Sequence, residues 1–95
     1  MKTIIAGSRN ITDYKLLEDF IADIDFEITT VICGCARGVD TLGENWAKKN
    51  NIPVKRYSAY WERYGRAAGP IRNKEIAKVG EALILILKRK FVWEQ

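Results

Sequence analysis

Two glycines, an arginine and an aspartate fall within seven residues, from Gly34 to Asp40. Glycine lets backbone amides approach a ligand closely, and a guanidinium donates a fork of hydrogen bonds that fits a phosphate. The helix predicted to begin near Val39 would offer its amide groups and its dipole to an anion. The segment therefore predicts an anion cradle with Arg37 as its main side-chain contact. Asp40 could bind a ribose hydroxyl, or it could stabilise the helix dipole or pair with Arg37.

One helical turn after Asp40, Glu44 lies on the same predicted helix face. A pair of carboxylates could act on a glycosidic bond, although a glutamate that only faces solvent is more common. The chain has no histidine, which excludes Ser-His and Cys-His dyads and an imidazole base. Any catalysis would fall to Asp, Glu, Lys, Tyr or Cys side chains. Asp40 and Glu44 are the candidates, and a binding protein is expected rather than an enzyme.

A second polar and aromatic stretch runs from Ser58 to Glu75. Trp61 and Tyr64 could stack on a nucleobase, or they could cover the end of the sheet. Arg72 and Asn73 follow Pro70 at a predicted helix start, where an anion is favoured. The stretch adds a base-binding and an anion-binding element to the cradle.

Composition limits the class of protein. With 95 residues and 47% hydrophobic content, we expect one domain over residues 1–95. Residues 55–95 carry ten Lys or Arg against four Asp or Glu, which favours an anionic partner such as a phosphorylated metabolite or nucleic acid. The longest apolar run is too short to span a membrane, and the pair Cys33 and Cys35 fits a reduced compartment. We expect a cytoplasmic protein with no metal and no cofactor.

Strands alternate with helices along the chain. The predicted strands are Lys2–Ala6, Ile28–Cys33, Pro53–Tyr57 and Ala82–Leu87, and the predicted helices run from about Asp13 to Asp23, from Val39 to Lys49 and from Pro70 to Gly80. This alternation predicts an α/β fold, a small Rossmann-like three-layer sandwich with a mostly parallel sheet of four or five strands. Ser58 to Gly69 is expected to be a loop, and residues 88–95 a tail or an extra strand. The loops after the first three strands should meet at the carboxyl edge of the sheet, where such folds bind ligands.

Three ordered motifs carry a family resemblance: "GSR", "GCARGVDTLGENWAKKNNIPV" and "YWERYGRAAGPIRNKEIA". Together they resemble the YspA-like branch of the SLOG superfamily, which also includes the LOG proteins and the DNA-processing protein DprA. The resemblance implies a Rossmann-like sheet and a nucleotide or nucleotide-derived ligand, such as an ADP-ribose or NAD-related compound. By position, the family motif residues that we expect to bind it are Gly7, Ser8, Arg9, Gly34, Ala36, Arg37, Gly38, Asp40, Trp61, Tyr64, Gly69, Arg72 and Asn73, and two more motif positions are Glu44 and Pro70.

The chain departs from the family pattern in places. At the position of an aspartate common before the loop tryptophan, this chain has Tyr60. From the resemblance we also expect the chain to be shortened at its C-terminal end relative to the family. The Pro-Gly-Gly and Gly-Thr signature of the LOG enzymes has no counterpart, so the resemblance does not carry glycosidic cleavage with it. We expect a binding module, a sensor or a sequestering protein. A nucleotide hydrolase or N-glycosidase, and a nucleic-acid-binding protein, are the alternatives.

The apolar tail, Phe91 to Trp93, would be sticky if exposed. We expect it to dock on the domain or on a second subunit. Four short parallel strands would also leave an open edge. Relatives in the superfamily are often oligomeric, so the resemblance implies a homodimer.

Overall fold

The computed structural model describes residues 1–8, 10–34, 38–87 and 90–94, and for residues 90 and 94 it describes the backbone only. Its strands are β1 (Lys2–Gly7), β2 (Thr30–Cys33), β3 (Val54–Arg56), β4 (Ala82–Leu87) and β5 (Lys90–Glu94). Its helices are α1 (Tyr14–Ala22), α2 (Val39–Lys49), α3 (Trp61–Tyr64) and α4 (Ala68–Val79), with a 3-10 turn over Gly65–Ala67.

The strands form one mixed sheet in the order β3-β2-β1-β4-β5. The first four strands are parallel, and β5 runs antiparallel to β4. Successive units build outward from β1 to β3, and the chain then crosses to the other side of β1 to form β4. The predicted α/β, Rossmann-like fold with a mostly parallel sheet is confirmed.

The main core lies between the sheet and helices α1 and α2. Ile5, Ile84 and Ile86 alternate inward along β1 and β4 and are at most 1% exposed. They pack with Leu17 of α1 and Val39 of α2 in one apolar cluster. Burial of each such side chain contributes about 1.5–3 kcal/mol, so this layer holds the two helices in place.

The opposite face of the sheet is covered less completely. The sequence of β4 is apolar at every position, which predicts cover on both faces. Leu83 and Leu85 are only half-buried, however, and Leu87 is 47% exposed. The expectation that β4 is covered on both faces is wrong for this face of the sheet. The helix α4 crosses the face but leaves part of β4 open.

Two helix boundaries depend on specific residues. Asp13 caps α1, where its carboxylate accepts hydrogen bonds from the amides of Lys15 and Leu16 at 3.1 and 3.4 Å. Gly80 ends α4, as predicted, but in an extended conformation (φ −74°, ψ 136°) rather than as a left-handed cap. A Cβ at Gly80 would lie 2.5 Å from Ile4 Cδ1, so close packing against β1 explains the glycine.

The predicted loop between Ser58 and Gly69 is partly helical. It contains α3 and the 3-10 turn, and α4 already begins at Ala68. Pro70 is therefore the third residue of α4 and not the first. The helix tolerates it because amides of the first turn have no intrahelical acceptor to lose.

Residues 90–94 form the fifth strand and dock on the domain. The Phe91 ring stacks on Phe20 of α1, with ring centroids 4.8 Å apart. The Trp93 ring contacts Phe26 at 5.7 Å. These contacts confirm that the apolar tail is packed against the domain, and they fix the side of the sheet to which each aromatic ring points.

None of the helices in the described ranges has the length and apolar character that crossing a membrane requires.

Candidate functional site

A cleft opens at the carboxyl ends of β1 and β4, where the direction of strand addition reverses. Such reversal points are the usual ligand sites of open α/β sheets. The cleft has a volume of about 420 Å³ and lies between the partly open face of the sheet and α4. Its lining residues are Ile4, Ile5, Ala6, Gly7, Gly34, Asp40, Arg72, Asn73, Ile76, Ala77, Leu85 and Leu87. Five predicted ligand-binding residues are therefore brought together: Gly7, Gly34, Asp40, Arg72 and Asn73.

Gly7 is required by close contact between backbone segments. A Cβ at this position would lie 2.0 Å from the carbonyl oxygen of Ile86 and 3.0 Å from Val39 Cγ2. Any side chain would separate β1 from β4 at the point where the cleft begins. The glycine therefore lets the end of β1 form a tight junction with β4 and the start of α2.

Gly34 separates the two charged side chains of the cleft. A Cβ at Gly34 would lie 3.0 Å from Asp40 Oδ2 and 3.4 Å from Cζ and Nη1 of Arg72. The carboxylate and the guanidinium thus face the same glycine, and Asp40 is only 8% exposed. The absence of a side chain at residue 34 keeps the space between these groups open.

Arg72 ties α4 to the loop that follows β2. Its Nη1 donates a hydrogen bond to the Gly34 carbonyl at 2.7 Å, and its Nε donates to Asn73 Oδ1 at 3.2 Å. The guanidinium is half-buried at the cleft wall. Because a guanidinium has five N–H donors, these two bonds leave it able to contact a ligand anion as well.

The start of α2 is joined to the loop after β1. Gly38 precedes the helix with φ +73°, and the amide of Val39 donates to the Ser8 carbonyl at 3.3 Å. The sequence predicted that the first amides of this helix would be open to an anion. The Val39 amide is instead used within the protein, and Ser8 contributes its backbone to the junction of the two loops.

Three of the predicted ligand-binding residues, Arg9, Ala36 and Arg37, lie outside the described residues. One of them, Arg37, is the main side-chain contact predicted for the anion cradle. Its role stays a prediction.

Residues 1–64 match the family described as the YspA, cpYpsA-related SLOG family. The Gene 61 protein of Mycobacterium phage D29 is 30% identical over 92 residues, which cover 88% of this chain and 74% of the phage protein. No solved structure matches. The chain belongs to the YspA, cpYpsA-related SLOG family.

Membership of this SLOG family is consistent with binding of a nucleotide-related ligand. The family match includes three of the five predicted ligand-binding residues that line the cleft, Gly7, Gly34 and Asp40. Arg72 and Asn73 lie beyond the matched residues. Their place in the cleft rests on the geometry of α4.

Trp61 and Tyr64 are not among the described residues that line the main cleft of this SLOG protein. Trp61 packs over Gly69, where a Cβ would lie 3.4 Å from the indole Cη2. Tyr64 lines a separate depression of about 80 Å³ together with Arg63 and Arg72. Arg63 lies over the Tyr64 ring, 5.2 Å from its centroid. Arg72 is therefore the side chain shared by the two sites.

The Glu44 carboxylate forms ion pairs with two cationic side chains. It accepts hydrogen bonds from the Arg56 guanidinium on β3 and lies 3.7 Å from Lys48 Nζ. The side chain is 18% exposed and is not one of the described groups that line the cleft. The structure thus gives Glu44 a role in joining α2 to β3.

Sequence reasoning missed the apolar part of the cleft. Seven of the twelve described lining residues are aliphatic, and they come from β1, β4 and the inner side of α4. The sequence feature that could have indicated this part of the cleft is the apolar run of β4, whose residues lie on the face that α4 leaves partly open. Exposed aliphatic side chains next to a buried carboxylate and an arginine form a site with one apolar and one polar end.

Two further observations limit the chemistry and the location. Within the described ranges, no group of three or more His, Cys, Asp or Glu side chains comes together to hold a metal ion. A second depression, of about 390 Å³, lies among residues that precede β2 and β3, with Phe26, Trp46 and Ile52 in its lining. It is at the other end of the strands and contains none of the predicted site residues.

Proposed function

We propose that this chain binds a nucleotide or nucleotide-derived ligand, of the ADP-ribose or NAD-related class, in the cleft between β1, β4 and α4. It acts there as a sensor or a sequestering module and does not transform the ligand. The observation that supports this most strongly is the convergence of Gly7, Gly34, Asp40 and Arg72 on one cleft at the reversal point of the sheet.

The apolar floor suits a nucleobase. Ile4, Leu85 and Ile76 approach the cleft from the sheet and from α4, and Leu87 remains 47% exposed at its rim. A flat base placed over these groups would remove apolar surface from water, which contributes about 25 cal/mol per Å². This contact takes the place of the stacking on Trp61 and Tyr64 that the sequence suggested.

Asp40 suits a ribose. Its carboxylate lies beside Gly34 at the cleft wall, and a carboxylate can accept hydrogen bonds from two neighbouring hydroxyl groups. Burial strengthens such bonds, because little water competes for the oxygen atoms. Asp40 is thus the group that would distinguish a ribonucleotide from a deoxyribonucleotide.

Arg72 suits the phosphate. It faces the same space from α4 and keeps donors beyond those bonded to Gly34 and Asn73. The sequence assigns Arg37 and Arg9 to the same anion, and their contribution belongs to the proposal. The proposal also includes a homodimer and a cytoplasmic setting. In that setting the buried thiol of Cys33 stays reduced.

Hydrolysis of the same ligand class is the alternative. It would rely on Asp40 and Glu44 together, and the ion pairs of Glu44 with Arg56 and Lys48 leave that pairing without support. A nucleic-acid ligand would use the basic second half of the chain and would depend steeply on salt concentration.

The test is a thermal-shift screen with ADP-ribose, NAD, AMP, ATP, deoxy-AMP and short oligonucleotides, since a ligand of the native state raises Tm by mass action. The ribonucleotide derivatives should raise Tm, and deoxy-AMP should raise it less than AMP. Each positive ligand is then titrated into Asp40→Asn and Arg72→Gln, with Arg66→Gln as the control for a lost surface charge. We expect at least a tenfold increase in Kd for the first two variants and no change for the third.

Two results would contradict the proposal. One is that no nucleotide derivative changes Tm, and the other is that a positive ligand binds equally well to all three variants. Product formation during the titration, measured by chromatography and lost in Glu44→Gln, would favour the hydrolase instead.

A further inference from the structure

A small depression lies beside the cleft and shares Arg72 with it. Its lining includes Ser58 from the loop after β3, Arg63 and Tyr64 of α3, and Arg72 and Glu75 of α4. Its volume is about 80 Å³. A cavity that takes a benzene ring has about 150 Å³, so the depression is small for a nucleobase. Its size suits a compact group such as a phosphate.

Two guanidinium groups give the depression its charge. Arg63 is held against the Tyr64 ring, with its Cζ 5.2 Å from the ring centroid. Arg72 uses two of its five N–H donors for hydrogen bonds within the protein. Within the described ranges, neither guanidinium forms an ion pair with a carboxylate. Glu75 lines the same space, but it is exposed and water screens its charge, so the balance favours an anion.

The position of Arg63 is fixed by the packing of α3 on α4. Trp61 of α3 packs over Gly69 of α4, where a Cβ would lie 3.4 Å from the indole Cη2. The amides of Arg63 and Tyr64 donate to the Tyr60 carbonyl at 3.1 and 3.0 Å. The guanidinium of Arg63 is therefore held at the wall of the depression before any ligand arrives, which lowers the entropy lost on binding.

The depression continues the line of the cleft along the carboxyl edge of the sheet. The strand order is β3-β2-β1-β4-β5. The apolar floor belongs to β1 and β4, Asp40 lies beside Gly34 after β2, and Ser58 follows β3. Arg72 lines both spaces. The parts of a nucleotide are joined in the same order, base to ribose to first phosphate to second phosphate.

We propose that the depression is a subsite for a second phosphate, and that Arg63 makes the protein select nucleoside diphosphates over monophosphates. This selectivity rests on the nucleotide function proposed above and adds to it a group that lies outside the cleft. The first phosphate contacts Arg72 from the cleft, and the second lies between Arg63 and Arg72.

The rim of the depression allows the ligand to continue beyond the second phosphate. Tyr60 and Tyr64 line it and are 66% and 39% exposed. A ribose attached to the second phosphate, as in ADP-ribose, can therefore extend over the rim towards solvent. ADP and ADP-ribose should gain the same contact with Arg63.

Calorimetric titrations of AMP, ADP and ADP-ribose, at constant ionic strength and without magnesium, test the subsite. ADP should bind the wild type about tenfold more tightly than AMP, because the second phosphate adds charge-assisted hydrogen bonds. Arg63→Gln should raise the Kd of ADP and of ADP-ribose by about tenfold and leave the Kd of AMP unchanged. Arg66→Gln, which removes an exposed arginine that does not line the depression, is the matched control and should change none of the three.

AMP binding also serves as the control for folding. An unchanged Kd of AMP in Arg63→Gln shows that the cleft is intact, so unfolding cannot explain a weaker Kd of ADP. Glu75→Gln removes the carboxylate that lines the depression and should lower the Kd of ADP by roughly two- to threefold without changing that of AMP.

The outcomes separate the subsite from the nucleotide function. If AMP and ADP both bind, and the ratio of their Kd values is the same in the wild type and in Arg63→Gln, the subsite is overturned and binding in the cleft stands. A weaker Kd of AMP in Arg63→Gln would also overturn it, because Arg63 would then contact the first phosphate. If the wild type binds none of the three ligands, the nucleotide function fails and the subsite fails with it.

Discussion

Arg72 should support the stability of the fold as well as the cleft, because its guanidinium joins α4 to the loop after β2. The bond from Nη1 to the Gly34 carbonyl is 2.7 Å long, and Gly34 is buried. Arg72→Gln removes this bond. It leaves a buried carbonyl oxygen without its cationic donor.

The size of the effect follows from the type of hydrogen bond. Bonds to charged groups contribute about 1.5–3 kcal/mol, and partial exposure of Arg72 lowers the expected loss to about 1–2 kcal/mol. For a domain of this size, 1 kcal/mol corresponds to roughly 4–8 °C in Tm. We therefore expect the Tm of Arg72→Gln to fall by about 4–15 °C in the absence of any ligand.

The assay is thermal unfolding followed by circular dichroism, with a urea titration to give the free energy of unfolding. Arg72→Lys retains the charge without the planar fork and should recover part of the loss. Arg66→Gln removes an exposed arginine of the 3-10 turn and should leave Tm within about 1 °C. A Tm for Arg72→Gln equal to that of Arg66→Gln would refute the argument that Arg72 holds α4 to the sheet.

Two other substitutions test the junctions around the cleft. Gly7→Ala should lower the free energy of unfolding by about 3 kcal/mol or more, because its Cβ would lie 2.0 Å from a backbone oxygen. Gly65→Ala has open space around its Cβ but φ +56°, and should lower it by only about 1 kcal/mol. Urea titrations compare the two variants, and equal losses would contradict the structure. Glu44→Gln should lower the free energy of unfolding by at most about 1 kcal/mol, since its partner Arg56 is half exposed. It should leave the Kd of the ligand unchanged in calorimetry. A tenfold loss of affinity would show instead that Glu44 contributes to ligand binding.

The elements with a strong local pattern could be predicted from the sequence. The β-branched and apolar strands and the alternation of strands with helices were sufficient for the α/β fold. The helix over Trp61–Tyr64 was missed because four residues are too few to show helical periodicity. The burial of β4 was overestimated, since its apolar pattern does not reveal that α4 covers only part of one face.

The cleft was predictable in location and only partly in composition. Glycines and polar residues after β1 and β2 indicated the carboxyl edge, and the structure brings Gly7, Gly34 and Asp40 together there. The bond from Arg72 to the Gly34 carbonyl joins residues 38 positions apart and depends on how α4 packs. Such a contact has no local signal. For the same reason the pairing of Glu44 with Arg56 on β3 could not be foreseen.

The central claim is that the ligand binds between β1, β4 and α4, and NMR mapping tests it most directly. Titration of ADP-ribose into the ¹⁵N-labelled protein should shift the backbone amides of Gly7, Gly34, Asp40 and Asn73 first. Amides around Phe26, Trp46 and Ile52, at the other end of the strands, should stay in place and serve as the internal control. Shifts confined to that second depression, or an unchanged spectrum at millimolar ADP-ribose, would contradict the account.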